Sequence, residues 1–349
     1  MIGTDLCIQQ VVVAALPSRN VVNSALASFA NRYGVPREIA THLYKEANRS
    51  GCPPISDRIN WRVKFWIALL VPIVVTTGIF AQPVVSESKF VEVDHIKVHY
   101  TNYGKGETAL VFIHGWACDE TVWSEQAPAL AAKIRVITID LPGHGQSDKP
   151  KTIEYDKDLY SRAIDGVIND AGMKSAILVG HSNGTPFTRE YYRKFPAKVK
   201  AIVVVEGPLH AMFDRDTMEK FVVPLKGDHY EEAAGKIVDG ITKPIKDAAL
   251  RDKIKALMLK TPQHVAVSEF EATADEELWK EDKIDVPVLM ILAKQPTWSP
   301  EYEQFVRTLA PRLDYQVWEN VSHFLMMEKP REFNAAMLKF LEQNHLLQS

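Results

Sequence analysis

The stretch SAILVGHSNGTPFTREYYRKF, residues 175–195, decides how the rest of the chain is read. A short apolar run, Ala176 to Val179, passes without a linker into a helical pattern from Pro186 to Phe195, and Gly180-His181-Ser182-Asn183-Gly184 lies at the junction. These five residues fit G-x-S-x-G. A serine on such a strand-to-helix turn is held in a strained conformation that exposes its hydroxyl, and the flanking glycines relieve the crowding a side chain would create. The helix N-terminus beneath it favours developing negative charge. An isolated G-x-S-x-G is usually only a loop; the strand before it and the helix after it make Ser182 a candidate nucleophile.

Outward from this unit the chain alternates strands with helices. Residues 90–94 and 97–104 read as a hairpin pair, and ALVFIHG (109–115), RVITIDLPG (135–143) and AIVVVEGP (201–208) as further strands. Helical stretches near Val122 to Ala132, Lys157 to Ala171 and Pro186 to Phe195 are long enough to carry crossovers. The pattern predicts an α/β fold with a mostly parallel sheet covered on both faces. From about Leu209 to Asp285 the alternation stops, and amphipathic stretches such as ALRDKIKALML (249–259) and ATADEELWKED (272–282) predict an inserted helical cap. PVLMILAK (287–294) and LDYQVWEN (313–320) resume the strands, and Arg331 to His345 closes the chain as a helix.

A serine hydroxyl needs a base within hydrogen-bond reach. Only His323, in Asn320-Val321-Ser322-His323-Phe324, comes after the serine at a strand end late in the chain, as the order serine, acid, histidine requires. His181 lies inside the elbow with its ring away from the serine, His144 braces a turn, and His210 and His264 fall in the cap. Donors for an oxyanion are expected from the backbone N–H of Trp116, where Gly115 lets the chain turn, and of Asn183, directly after the serine.

His114-Gly115-Trp116, the run Asp140 to Asp148 (DLPGHGQSD), the Ser182 elbow, and Ser322-His323-Phe324 with Glu328-Lys329-Pro330 resemble, in that order, the α/β-hydrolase family with a helical cap, over about Phe90 to Leu347. The resemblance implies a cofactor-independent hydrolase with a small-molecule substrate and no metal. Serine rather than aspartate at the elbow separates it from the haloalkane dehalogenase and epoxide hydrolase branches. In most relatives the acid comes just past the strand after the cap, but here Lys294-Gln295-Pro296-Thr297 stands there, with no carboxylate before Glu301. A minority arrangement places the acid at the end of the preceding strand, where this chain has Glu206. The resemblance therefore implies Glu206 as the acid, with Glu301 or a dyad lacking any acid as the other readings.

The formal charge of −3, from 41 Lys and Arg against 44 Asp and Glu, gives no basic excess for nucleic acid, and a hydrophobic fraction of 46% excludes wholesale disorder. Cys7, Cys52 and Cys118 match neither a zinc site nor a disulfide ladder. Phe65 to Ala81 is a run of about 17 uncharged residues preceded by Arg58, Arg62 and Lys64, which reads as a signal peptide or, if uncleaved, a membrane anchor, with the chain beyond Ala81 exported. Residues 1–62 are then either an artefact of start-site assignment, with translation from the Val63 codon, or a small helical appendage around Arg37 to Asn48. The function expected is a carboxylesterase on small or medium acyl esters. A carbon–carbon bond hydrolase of the same fold and a slow-turnover ligand-binding pseudo-hydrolase are the alternatives. Trp279, Phe213, Phe221, Met212 and Met218 are candidates for an apolar pocket or for cap core.

Overall fold

The computed structural model describes residues 85–212 and 214–347. The expectations for residues 1–62 and 63–81, and for Phe213, lie outside the described residues. Among the described residues no helix is long and apolar enough to cross a membrane.

Eight strands form one sheet: β1 (Ser86–Val93), β2 (Ile96–Tyr103), β3 (Thr108–Ile113), β4 (Arg135–Ile139), β5 (Ser175–His181), β6 (Val199–Val205), β7 (Val288–Ala293) and β8 (Leu313–Trp318). Their spatial order is β1-β2-β4-β3-β5-β6-β7-β8. β1 and β2 pair antiparallel through a turn at Asp94-His95, both at positive φ (51° and 63°), as a tight two-residue hairpin requires. β2 meets β4 antiparallel, and the remaining pairs are parallel. The mostly parallel sheet expected from the sequence is thus observed. β5 lies centrally and all seven of its residues are buried, which explains why it reads as a continuous apolar run instead of an alternating one.

Helices cover both faces: α1 (Ala127–Leu130), α2 (Lys157–Asp170), α3 (Gly184–Lys194), α4 (Arg215–Lys226), α5 (Tyr230–Thr242), α6 (Ala248–Met258), α7 (Gln263–Ala272), α8 (Pro300–Leu309), α9 (Leu325–Glu328) and α10 (Pro330–Gln343). α4 to α7 form the insertion between β6 and β7. Two expected helices are corrected. Val122 to Ala132 is not one helix: a 3-10 turn, Glu120–Trp123, capped by the Asp119 carboxylate, is followed by the single turn of α1, which Pro128 opens. ATADEELWKED likewise begins as the last residue of α7, and Asp275 then caps a separate 3-10 turn, Glu276–Trp279.

Parallel strands deliver their carboxyl ends to one edge, so β3, β5, β6 and β7 bring Gly115, Ser182, Glu206 and Gln295 to the same side of the sheet.

Candidate active site

Ser182 comes directly after the last residue of β5 and precedes α3, with φ +50°. This left-handed conformation costs a non-glycine residue about 1–2 kcal/mol. It is held on both sides, because the Ser182 N–H donates to the Val205 carbonyl at 2.9 Å and its own carbonyl accepts from the Thr185 N–H at 3.0 Å. Two glycines permit the close approach. A Cβ on Gly115 would lie 2.9 Å from the Ser182 Cβ, and one on Gly184 would lie 2.4 Å from the His114 carbonyl oxygen.

His323 Nε2 lies 2.8 Å from Ser182 Oγ, and its Nδ1 lies 3.3 Å from Glu206 Oε2. A carboxylate at Nδ1 selects the tautomer with hydrogen there, which leaves Nε2 free to accept from the serine hydroxyl. The histidine loop is pinned from outside the ring: Glu328 Oε1 accepts from the Ser322 N–H at 2.6 Å and from the Ser322 hydroxyl at 2.5 Å. His181, whose ring is expected from the sequence to point away from the serine, holds the loop too. Burial, reinforced by the nearby His323, drives its pKa well down, so its neutral ring donates from Nε2 to the His323 carbonyl at 2.8 Å.

Glu206 sits one residue past β6 at φ +49° and is 2% exposed. Its oxygens accept from the Ala293 N–H, the Trp298 Nε1–H at 3.1 Å and the Gln295 side-chain amide at 3.4 Å. The loop after β7, which carries no carboxylate, thus supplies the donors that hold the carboxylate of the neighbouring strand. Glu301 is instead exposed in the first turn of α8, where its acidity suits the helix N-terminus, and the structure does not bring it to His323.

Trp116 lies in a four-residue turn closed by the Cys118 N–H on the Gly115 carbonyl at 3.1 Å, with Ala117 at φ +56°. Among the described residues the backbone N–H groups of Trp116 and Asn183 have no hydrogen-bond partner, and both residues line the same cavity as Ser182. The cap grips this turn. The Trp116 indole donates to the Ala266 carbonyl at 2.8 Å, and Thr261 donates its hydroxyl to the Ala117 carbonyl at 3.0 Å. Glu269 of α7, fully buried, accepts from the Asn183 side-chain amide at 2.9 Å and from the Ala117 N–H at 3.4 Å. Its other partner is His144 Nε2 at 3.1 Å. Burial opposes the Glu269 charge, but the hydrogen bonds from His144 and Asn183 and the nearby His144 and His114 together outweigh it and lower the carboxyl pKa. Sequence reading missed Glu269 and Trp298; no local signal marks a cap glutamate as buried or an indole as a partner of the acid.

The cavity around Ser182 has a volume of about 350 Å³ and an apolar lining that includes Met212, Met218, Phe221, Met258, Phe270 and Trp279. No lysine or arginine is among the described lining residues.

Among the described residues, His99, Glu120 and Asp140 bring metal-ligand atoms within 4.8 Å of one another. Those atoms are already engaged. His99 Nδ1 faces Asp140 Oδ2 at 2.8 Å, Asp140 Oδ1 accepts from the Glu120 N–H at 2.8 Å, and Glu120 accepts from the Thr101 and Thr138 hydroxyls. The cluster ties β2 to β4 and to the Glu120 turn, and it explains Asp140 in the run DLPGHGQSD.

A family model described as alpha/beta hydrolase fold matches residues 108–238. The chain is 25% identical over 288 residues to the 2-hydroxy-6-oxononadienedioate/2-hydroxy-6-oxononatrienedioate hydrolase of Burkholderia vietnamiensis, covering 73% of this chain and 96% of that protein. It is 25% identical over 251 residues to an sn-1-specific diacylglycerol lipase of Mus musculus, covering 67% and 80%. Among solved structures, a thermophilic esterase aligns with TM-score 0.59 at 27% identity over 74% of this chain and 99% of that one. The enol-lactonase of Burkholderia xenovorans LB400 shares the fold at TM-score 0.65 and 18% identity, over 73% and 100%. With the sheet order, the insertion after β6 and the match over residues 108–238 all in agreement, the chain has the α/β-hydrolase fold.

Proposed function

We propose that this hydrolase is a cofactor-independent serine carboxylesterase acting on uncharged, small or medium acyl esters. The observation that carries the reading is the hydrogen-bonded line from Ser182 Oγ through both ring nitrogens of His323 to Glu206. In this reading His323 takes the serine proton as Oγ attacks the ester carbonyl carbon, and the backbone N–H groups of Trp116 and Asn183 receive the oxyanion. Collapse breaks the carbon–oxygen bond to the alcohol, which leaves with the proton from His323. Water then attacks the acyl-enzyme with the same base and releases the acid and Ser182. Glu206 keeps the imidazole in the required tautomer and stabilises the imidazolium.

The lining supports an uncharged substrate. A carboxylate-bearing substrate would lose its hydration in a wall that offers no lysine or arginine among its described residues, and an unpaired buried charge is costly. This argues against the dicarboxylate that names the Burkholderia vietnamiensis hydrolase. Carbon–carbon cleavage of an uncharged diketone is the second reading, favoured by that relative's 96% coverage. The weakly catalytic binder loses its main support, because Glu206 stands where an acid is needed.

Labelling with a fluorophosphonate, together with hydrolysis of aryl esters, tests the proposal. Wild type should label and turn over, and Ser182→Ala should do neither. A wild-type protein inert to both sinks the reading.

A further inference from the structure

α3, the helix that begins at the elbow, turns one face toward the two ends of the cap insertion. Arg189, Tyr192 and Arg193 are spaced along it so that they share one side of the helix. Arg189 is 2% exposed, and a buried guanidinium is costly unless its donors are met. Among the described residues, every hydrogen bond it makes goes to one end or the other of the insertion. Nη1 donates to the Leu209 carbonyl at 2.7 Å, where the chain leaves β6 for the cap. Nη2 donates to the Lys280 carbonyl, to the Asp282 carbonyl at 3.0 Å and to Asp282 Oδ1 at 3.1 Å, where the chain returns toward β7. Arg193 reinforces the returning end, donating to the carbonyls of Leu278 at 3.1 Å and Lys280 at 2.9 Å and to Asp282 Oδ1 at 2.9 Å. The Tyr192 hydroxyl oxygen adds to this by accepting from the Asp285 N–H at 3.2 Å.

Both ends carry walls of the reaction cavity. Pro208, Ala211 and Met212 of its lining lie to either side of Leu209 in the chain, and Trp279 of its lining directly precedes Lys280. A guanidinium is a planar fork whose terminal nitrogens point in fixed directions, so one that spans both ends sets the distance between them. We propose that Arg189 is a positioning residue for the acyl chain of the substrate: by tying Leu209 to Lys280 and Asp282, it fixes the spacing between the Pro208, Ala211 and Met212 wall and the Trp279 wall. The proposal rests on the ester-hydrolase reading, whose substrate is gripped by these apolar side chains. Among the described residues Arg189 makes no hydrogen bond to Ser182, His323 or Glu206. Loosening the clasp therefore changes how the chain is held and leaves the attack on the carbonyl as it was.

The full chain is assayed as wild type, Arg189→Lys and Asp282→Ala on p-nitrophenyl acetate and p-nitrophenyl hexanoate, with fluorophosphonate labelling in parallel. Lysine keeps the charge but is a point donor that cannot span both ends. Asp282 is exposed, so its replacement should loosen the returning end without unfolding the protein. A buried methylene is worth roughly fourfold, so the KM of Arg189→Lys for hexanoate should rise by about fivefold or more, and that of Asp282→Ala by about threefold. The kcat of both should stay within about twofold of wild type. Acetate, whose methyl group offers the walls the least surface, should keep its KM within about twofold in both variants. A residue that only stabilised the fold would instead reduce the active fraction, lowering the apparent kcat on both esters equally and leaving KM alone. Hydrogen exchange over residues 208–212 and 278–285 reads the clasp directly: both segments should exchange faster in Arg189→Lys, and only the second in Asp282→Ala. Equal losses on the two esters, or unchanged exchange in Arg189→Lys, overturn the proposal and leave the esterase standing. If Arg189→Lys fails to fold, a wild-type KM of Asp282→Ala for hexanoate overturns it. A wild type that neither labels nor turns over either ester sinks the ester reading and the proposal together.

Discussion

Asn183, the residue directly after the elbow serine, gives its side-chain amide to Glu269 of α7 at 2.9 Å, across 86 residues of chain. The carboxylate that holds it also accepts from the Ala117 N–H and faces His144, so one buried cap residue is tied to both backbone segments that flank the proposed oxyanion position. Both ring nitrogens of His144 face acceptors, Pro142 O at 3.1 Å and Glu269 Oε2 at 3.1 Å. Glu269 and His144 therefore form a buried hydrogen-bonded pair.

The first prediction concerns this pair. Glu269→Ala leaves His144 Nε2 and the half-buried Asn183 amide without this acceptor, and leaving a buried polar group unsatisfied typically costs about 1–3 kcal/mol. Glu269→Gln keeps an acceptor for Asn183 and should cost less. Both should lower kcat more than they raise KM, and urea melts alongside ester kinetics will check this. An Ala variant with wild-type stability and turnover would remove Glu269 from the site's support.

A second prediction concerns the elbow. Ser182→Ala should reduce ester hydrolysis by roughly 10³-fold or more, on the analogy of triad deletions. Because the position is held at φ +50°, Ser182→Gly should be equally inactive yet more stable than the alanine variant by about 1 kcal/mol. Thermal melts of the two inactive proteins decide the point; equal midpoints would mean that the elbow stores no strain.

The parts of this site visible in the sequence are those whose signal is local. Ser182 is marked by a buried strand, two glycines and a helix within 21 residues of chain (175–195), and His323 by its position after the last strand. Glu206 is found because the resemblance allows an acid at the end of the strand before the cap, and β6 reads as an apolar run followed by a carboxylate. Glu269 is different. In QHVAVSEFEA a glutamate looks like one more solvated cap charge, and only the packing of α7 on His144 and Asn183 buries it. The same limit applies to Trp298, whose indole N–H reaches Glu206 from a loop with no recognisable pattern. The two misread helices have local causes, Asp119 and Pro128 in one and Asp275 in the other, where capping residues divided stretches whose composition was helical.

The third prediction is acid sensitivity above the carboxylate range. Burial, with help from neighbouring His144, pushes His114 down to about 4, and burial lowers His181 well below its usual value. Unfolded, both titrate near 6.5. As pH falls below about 6.5 the unfolded chain therefore takes up protons that the folded one refuses, and stability drops until the folded values are reached; above about 6.5 neither ring contributes. Burial opposes the His99 charge, but the Asp140 hydrogen bond and the Asp140 and Glu120 charges together outweigh it and shift the ring up. Its stabilisation is therefore complete below about 6.5 and offsets the decline only between about pH 7 and that value. Unfolding free energies from urea melts at pH 7, 5.5 and 4.5 should decline, by a few kcal/mol in total. A flat profile over that range would contradict the assignment of these histidines as buried and neutral.

The last prediction tests the acid. Glu206→Gln removes the negative charge that stabilises the imidazolium, and its amide can present an N–H to His323 Nδ1, which favours the wrong tautomer. Turnover should fall by roughly 10²- to 10⁴-fold on the triad analogy. Glu301→Gln should stay near wild type, because that carboxylate is exposed at the start of α8. The cradle adds a third arm: Trp298→Phe deletes the indole donor at 3.1 Å while keeping an aromatic ring beside Tyr302. It leaves the carboxylate charged but less firmly held, so its loss in kcat should fall between the other two. The order Glu206→Gln, Trp298→Phe, Glu301→Gln, from largest loss to smallest, is what the geometry requires. A larger loss at Glu301 than at Glu206 would show that His323 is oriented from the loop after β7 by another residue, and activity unchanged in all three would leave His323 working with no acid at all.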